Sequence, residues 1–328
     1  MKQRVVWIDW AKAILIYLMV VGHCFPIAWE NQLIYSFHMP AFFIISGYLY
    51  HPHHWRKTLK SFIVPIFFFS IINLIIYIIP KLIKGTFISS HLCERIIMPF
   101  WSGGDIPEDL VIYCFPGVWF IIALLLCRLF MGDIKCFSWV MKYKYIVLGV
   151  LLVFLTFEPF LLPNNPLLPY KFYRFIPSMP FVLFGYCLKD RLQPSKFSYP
   201  TIGVLAFVFI VITFLNGYSN ILKYQFGHSY LLFFLNACIG SIALYGLCSK
   251  FRDINIVQVF SMGTILLLAI NFNLKVFYNI LFIKMGLGLF VSDRYLYPWI
   301  VGLFIMAACY FPIKWLLNYY PLLLGKAK

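Results

Sequence analysis

The sequence predicts an all-α polytopic integral membrane protein: one bundle of about ten transmembrane helices, with both termini in the cytoplasm. Three observations predict it. First, only 12% of the 328 residues are charged, 62% are hydrophobic and the mean hydropathy is +0.87. A soluble domain carries about 25% charged residues, so this chain lacks the polar surface to face water all round. Second, apolar stretches recur along the whole length, each near or above the ~20 residues that cross ~30 Å of hydrocarbon. Third, the charges lie between those stretches, where the positive-inside rule expects them.

The stretches lie near residues 5–25, 33–50, 61–79, 111–131, 145–163, 172–188, 200–217, 229–248, 254–272 and 297–317. Every backbone polar group in hydrocarbon needs an internal partner, so these read as helices rather than open strands. Asp9 and Lys12 interrupt the first stretch and no small-residue cleavage site follows it, so it reads as a span rather than a cleavable signal peptide. No repeat, heptad run or low-complexity tract divides the chain, which reads as one membrane domain over 1–328.

Orientation follows from the basic residues. With the N-terminus inside, 17 lysines and arginines fall on the cytoplasmic side and nine on the outer side. The formal net charge of +16 is therefore spread between spans and does not mark a nucleic-acid surface. The nine cysteines sit mostly within apolar stretches and form no CxxC pair, so they read as small core residues. Cys93 and Cys114 fall on the predicted outer side, where a bridge between them is open to the chain but not required by it. Two regions interrupt the pattern. Residues 274–292 are apolar but hold Lys275 and Lys284, and read as an outer interfacial or re-entrant segment. The longest loop, 80–110, holds Gly103-Gly104 and reads as a rim or lid over an outer site.

Polar residues at membrane depth carry the functional signal. Lys12 and His23 are eleven residues apart, close to three whole turns, with an offset of about 20°. Asp9 and His23 are fourteen apart, with an offset of about 40° the other way. All three share one stripe running from the inner leaflet to the outer one. An Asp9–Lys12 pair that neutralises itself, with an interfacial His23, is the plainer reading. The second span adds His38 and Pro40 at the same outer level as His23, then Ser46-Gly47. Two outer histidines on adjacent helices are harder to assign to packing, whereas Ser46-Gly47 alone fits close helix approach. Trp119 opens the fourth span, as an interfacial belt residue or a face for a sugar. Arg174, Glu158, Asn271 and Asn273 are further polar groups near membrane depth, most of them fitting an interfacial place. No HExxH, CxxC or other metal-like spacing occurs, so no metal is expected.

Ile8-Asp9-Trp10-Ala11-Lys12 followed by His23 resembles the opening of the membrane acyltransferase 3 family. Ser36-Phe37-His38-Met39-Pro40 and Phe42-Phe43-Ile44-Ile45-Ser46-Gly47-Tyr48 resemble its second span, and Val118-Trp119-Phe120 its Leu-Trp-Phe-Leu element. The likeness is closest to the fucose 4-O-acetylase-like branch and is strongest over residues 4–65. It implies transfer of an acyl group, usually acetyl, from cytoplasmic acyl-CoA to a hydroxyl of an extracytoplasmic glycan, in the cytoplasmic membrane of a bacterium. By the same resemblance His23 takes the catalytic role, and Lys12 the position associated with the donor. The expected catalytic set is then His23, His38 and Asp9. The donor would meet Lys12, Arg56, Lys57 and Lys60 at the basic inner face, and the acceptor Ser46, Trp119 and Arg174. One departure stands out: Asn271 and Ile265 occupy places where the family's run has His and Ser. A polar stripe in a helix bundle also fits a transporter or flippase of a glycan or small solute, which needs no acyl-CoA.

Overall fold

The computed structural model describes residues 4–83, 85, 117–161 and 174–326. Cys93, Cys114 and most of the 80–110 loop lie outside the described residues, as does the side chain of Glu158. The described chain is helical throughout, apart from one short antiparallel ribbon pairing Ser219–Asn220 with Gln225–Phe226. The helices are α1 (Val6–His23), α2 (Ala28–Tyr48), α3 (Trp55–Ile83), α4 (Val118–Arg128), α5 (Ser138–Lys142), α6 (Lys144–Leu161) and α7 (Phe175–Leu188). They continue as α8 (Tyr199–Asn216), α9 (Tyr230–Cys248), α10 (Asn255–Met262), α11 (Thr264–Lys284), α12 (Gly288–Ser292) and α13 (Tyr297–Tyr319).

Each of the ten expected stretches carries a helix. Among the described residues six helices are long and apolar enough to cross a bilayer: α1, α3, α8, α9, α11 and α13. A seventh follows if Lys135–Lys142 and Lys144–Phe157, bent by 87°, form one broken span. Of the others, α2 has 21 residues but opens with Glu30, Asn31 and Gln32, while α7 has 14 and α4 has 11. The multi-pass class is thus established; the number ten and the inward-facing termini rest on the sequence alone.

The outward faces show what solvent the bundle is built for. Ile146, Val150, Val153 and Phe157 form one exposed stripe on α6, and Val204, Phe207, Val211 and Leu215 another on α8. On a soluble surface such stripes would drive association; against lipid they need no cover.

Two buried clusters form the core, and α1 serves both. Ala11 and Leu15 pack with Phe43, Phe181 and Phe233. Ile16, Met19 and Val20 pack with Phe69, Leu267 and Ile313. A helix that buries two faces is fixed in rotation about its axis, so the polar stripe of α1 can face only one place. The backbones of α2 and α7 meet directly. A Cβ at Gly47 would lie 1.9 Å from the carbonyl oxygen of Val182, and one at Gly185 would lie 2.0 Å from that of Ile44. Only glycine at both positions permits this crossing. The packing reading of Gly47 is therefore the right one. Tyr245 on α9 ties the pair further by donating to the carbonyl of Ala41 at 2.8 Å.

The structure moves one boundary. The ninth span, expected to end at 272, breaks at Gly263 and then runs on as α11 to Lys284. The interfacial segment expected over 274–292 therefore divides into the second half of α11 and the short α12. Lys275 did not end the helix because its ammonium has partners: it donates to the carbonyl of His23 at 2.9 Å and lies 3.9 Å from the centre of the Phe25 ring.

Candidate active site

The site is strung along α1, and its two ends differ in chemistry. At the N-terminal end of α1 Asp9 is fully engaged. One carboxylate oxygen accepts from Arg4 Nε at 2.7 Å and the other from the hydroxyl of Ser261 on α10. Arg4 also reaches Asp253 at 3.4 Å. Asp9 thus stitches α1 to the start of α10, and its ion-pair partner is Arg4 rather than Lys12. It also lies fourteen residues, about 21 Å of helix, from His23. This geometry engages Asp9, expected in the catalytic set, in anchoring contacts far from His23.

Lys12, one turn further, makes no hydrogen bond or ion pair among the described residues. Its side chain lines a cavity of about 260 Å³. The wall is mostly apolar, with Ile16, Met19, Met39 and Phe42 along the α1 and α2 sides. Ser46 joins this lining. The charged groups in the wall are Lys12, Arg128 and Lys326; no carboxylate lines the cavity among the described residues. Three cations in one mostly apolar wall repel one another and call for an anion. Burial pushes the Lys326 ammonium below its ordinary range, with Asp9 pulling the other way.

Arg128 is held in place by a buried carboxylate outside the wall. Asp133 accepts from the hydroxyl of Tyr50 and the backbone N–H of His53, both at 2.9 Å, and from the hydroxyl of Thr58. Arg128 Nε sits 3.7 Å from the same carboxylate. Gly132, at φ +126°, supplies the turn that aims Asp133 back at these donors. One acid thereby fixes the connection between α2 and α3 and the end of α4.

At the C-terminal end of α1, Gly22, next to His23, packs against the Tyr35 ring, which lies 5.1 Å from that of His38. His23 is half-buried, with its ring 4.5 Å from that of Phe272. Its Nδ1 lies 2.8 Å from Oδ1 of Asn271. His38 is buried, and its Nδ1 lies 2.6 Å from the carbonyl oxygen of Ile34. A carbonyl only accepts, so Nδ1 of neutral His38 carries the proton and Nε2 holds the lone pair. Neutral His38 therefore accepts a hydrogen bond through Nε2, and in that form it cannot donate to an oxyanion. The cavity that starts at Lys12 climbs α1 as far as Met19, and Met39, the neighbour of His38, also lines it. It ends about one helical turn below His23, which is not in the lining.

Several expected contacts are elsewhere. Trp119 is buried in the core beside Phe120, and it is Phe120 that reaches the cavity. Arg174 is buried with its guanidinium 5.2 Å from the centre of the Tyr224 ring, away from the lining. Arg56, Lys57 and Lys60 are exposed on the first turns of α3 and do not line the cavity. Arg128 and Lys326 are the cations beside Lys12 in the cavity wall. Sequence reasoning missed both: each was counted only as an inner-side charge, and 116 and 314 residues separate them from Lys12.

A multi-pass membrane helix bundle with an imidazole at one end of a helix and a cation-lined cavity at the other is the class that fold and site define together. A profile of the acyltransferase 3 family, described as an acyltransferase domain, matches residues 5–319, and the chain belongs to that family of membrane acyltransferases. It is 26% identical over 215 residues to the nodulation protein NolL of Mesorhizobium japonicum. That alignment covers 62% of this chain and 52% of NolL, so the chain spans about half the length of this relative. No solved structure matches the chain.

Proposed function

We propose that the protein takes an acyl group, acetyl in the first instance, from cytoplasmic acyl-CoA and places it on a hydroxyl of an extracytoplasmic glycan. It does so in the cytoplasmic membrane of a bacterium, with both termini inside. One observation carries this reading. A single helix holds an imidazole at its C-terminal end and, three turns before it, an ammonium that has no partner among the described residues and faces a cation-lined cavity.

Acyl-CoA suits that cavity. Its phosphate groups match Lys12, Arg128 and Lys326, and its acyl arm matches the apolar wall that climbs toward Met19 and Met39. In the proposed reaction Nε2 of neutral His23 takes the proton from the acceptor hydroxyl, a contribution of about 10²–10⁴-fold. The hydroxyl oxygen attacks the thioester carbonyl and the tetrahedral adduct collapses. The C–S bond breaks, and the departing thiolate takes the proton back from His23. The new ester stays on the acceptor and CoA leaves as the free thiol.

The test feeds acetyl-CoA labelled in the acetyl group to inside-out membrane vesicles containing the protein. Label in glycan that requires the protein and His23 supports the reading. Glycan crossing the membrane unmodified, with no label incorporated, overturns it in favour of a transporter.

A further inference from the structure

Asn271 holds the amide of α11 in one orientation. Its Nδ2 donates to the carbonyls of Leu267 and Leu268, both at 2.9 Å. Both carbonyls are pure acceptors, so a flipped amide would set its one oxygen against both of them. The flip is therefore closed, and Oδ1 must be the atom that faces His23. Oδ1 is itself a pure acceptor, so the proton between it and the ring, at 2.8 Å, belongs to His23 Nδ1. The lone pair of neutral His23 then resides on Nε2.

We propose that Asn271 is a positioning residue that sets the tautomer and ring orientation of His23. This rests on the reading of His23 as the base. A hydrogen bond on one ring nitrogen decides which nitrogen is left basic. The structure adds two supports for the ring. Phe272 lies against it, and Lys275 clamps the His23 carbonyl where α1 ends. Asn271 is buried, and a neutral amide orients the imidazole there without introducing a second charge at membrane depth. Asn271→Asp keeps the acceptor oxygen but loses both donors; Asn271→Leu keeps the volume and loses the acceptor.

The experiment reads the tautomer directly. Nitrogen-15 spectra of the full chain in lipid, labelled at histidine, are recorded at a pH where the ring is neutral, with His23 assigned by its loss in His23→Gln. The wild type and Asn271→Asp should show a protonated Nδ1 and a bare Nε2, whereas Asn271→Leu should show a mixture. In the transfer assay Asn271→Leu should lower kcat by about 10–100-fold while KM for the donor stays put. Asn271→Asp should retain more activity than Asn271→Leu at equal protein level. A wild-type ring bare at Nδ1 overturns the proposal. So does an Asn271→Leu ring that keeps one tautomer with normal kcat. A wild type with the expected tautomer but no acyl transfer would instead remove the acyltransfer reading and leave this assignment standing.

Discussion

The two ends of α1 are built on opposite rules. At the C-terminal end of α1 and on the neighbouring α2 each histidine has its Nδ1 engaged by a fixed oxygen, Asn271 Oδ1 for His23 and the Ile34 carbonyl for His38. Toward the N-terminal end Lys12 has no partner among the described residues and lies beside two more cations. The first arrangement is preorganised: little remains to be ordered when a substrate arrives. The second is incomplete: Asp133 lies beside Arg128, but no carboxylate among the described residues lines the wall that the three cations share. A protein that merely satisfied its own polar groups would have paired Lys12 with Asp9 three residues away. Here Asp9 is committed to Arg4 and Ser261, which frees Lys12 for something else.

The sharpest way to break this contrast is at the histidine end. His23→Ala should reduce transfer by at least about 10²-fold, with the amount of protein in the membrane unchanged. Labelled acetyl in glycan measures the first and immunoblotting of membranes the second. Next comes the frame that carries His38 and Ser46. Gly185→Val places a side chain where the Ile44 carbonyl sits, and overpacking of this kind costs about 1–3 kcal/mol or more. It should lower the melting temperature of detergent-purified protein well below that of the wild type, and an unchanged value would mean the two helices do not cross so closely. Lys12→Ala comes third. Losing one charge-assisted contact of about 1.5–3 kcal/mol should raise KM for the donor by roughly 10–100-fold with kcat little changed. A donor dependence identical to the wild type would remove Lys12 from the donor site. Lys326→Ala is the mildest, at up to about fivefold in the same KM, since a partly exposed pair is worth about 0.2–1 kcal/mol. Its pH behaviour sharpens the point. A lysine with a lowered pKa is charged below it and loses its proton earlier as pH rises. Donor KM should therefore climb at a lower pH in the wild type than in Lys326→Arg.

How much of this the sequence showed depends on distance along the chain. The helical class and the packing of α1 against α2, which sets His23 and His38 on neighbouring helices, were legible, because helix periodicity and a short α1–α2 connection are local facts. Arg128 and Lys326 were not, because their approach to Lys12 is made by packing between remote segments. Trp119 misled for a related reason. An aromatic residue at the start of a span reads as interfacial, yet here the contacts of α4 turn it into the core and leave Phe120 facing the cavity. Lys275 looked like the end of a helix because its partners, the His23 carbonyl and the Phe25 ring, lie some 250 residues earlier. Asn271 registered as a departure from the family pattern, but its hydrogen bonds to Leu267, Leu268 and His23 show only in three dimensions.

The crossing of α2 and α7 at Gly47 and Gly185 has a mechanical consequence. Where main chain rests on main chain, no side chain can rotate to let one rod slide along the other. Those two helices travel as a single girder bearing His38 and Ser46, so the spacing between these residues survives any movement that admits or releases a substrate.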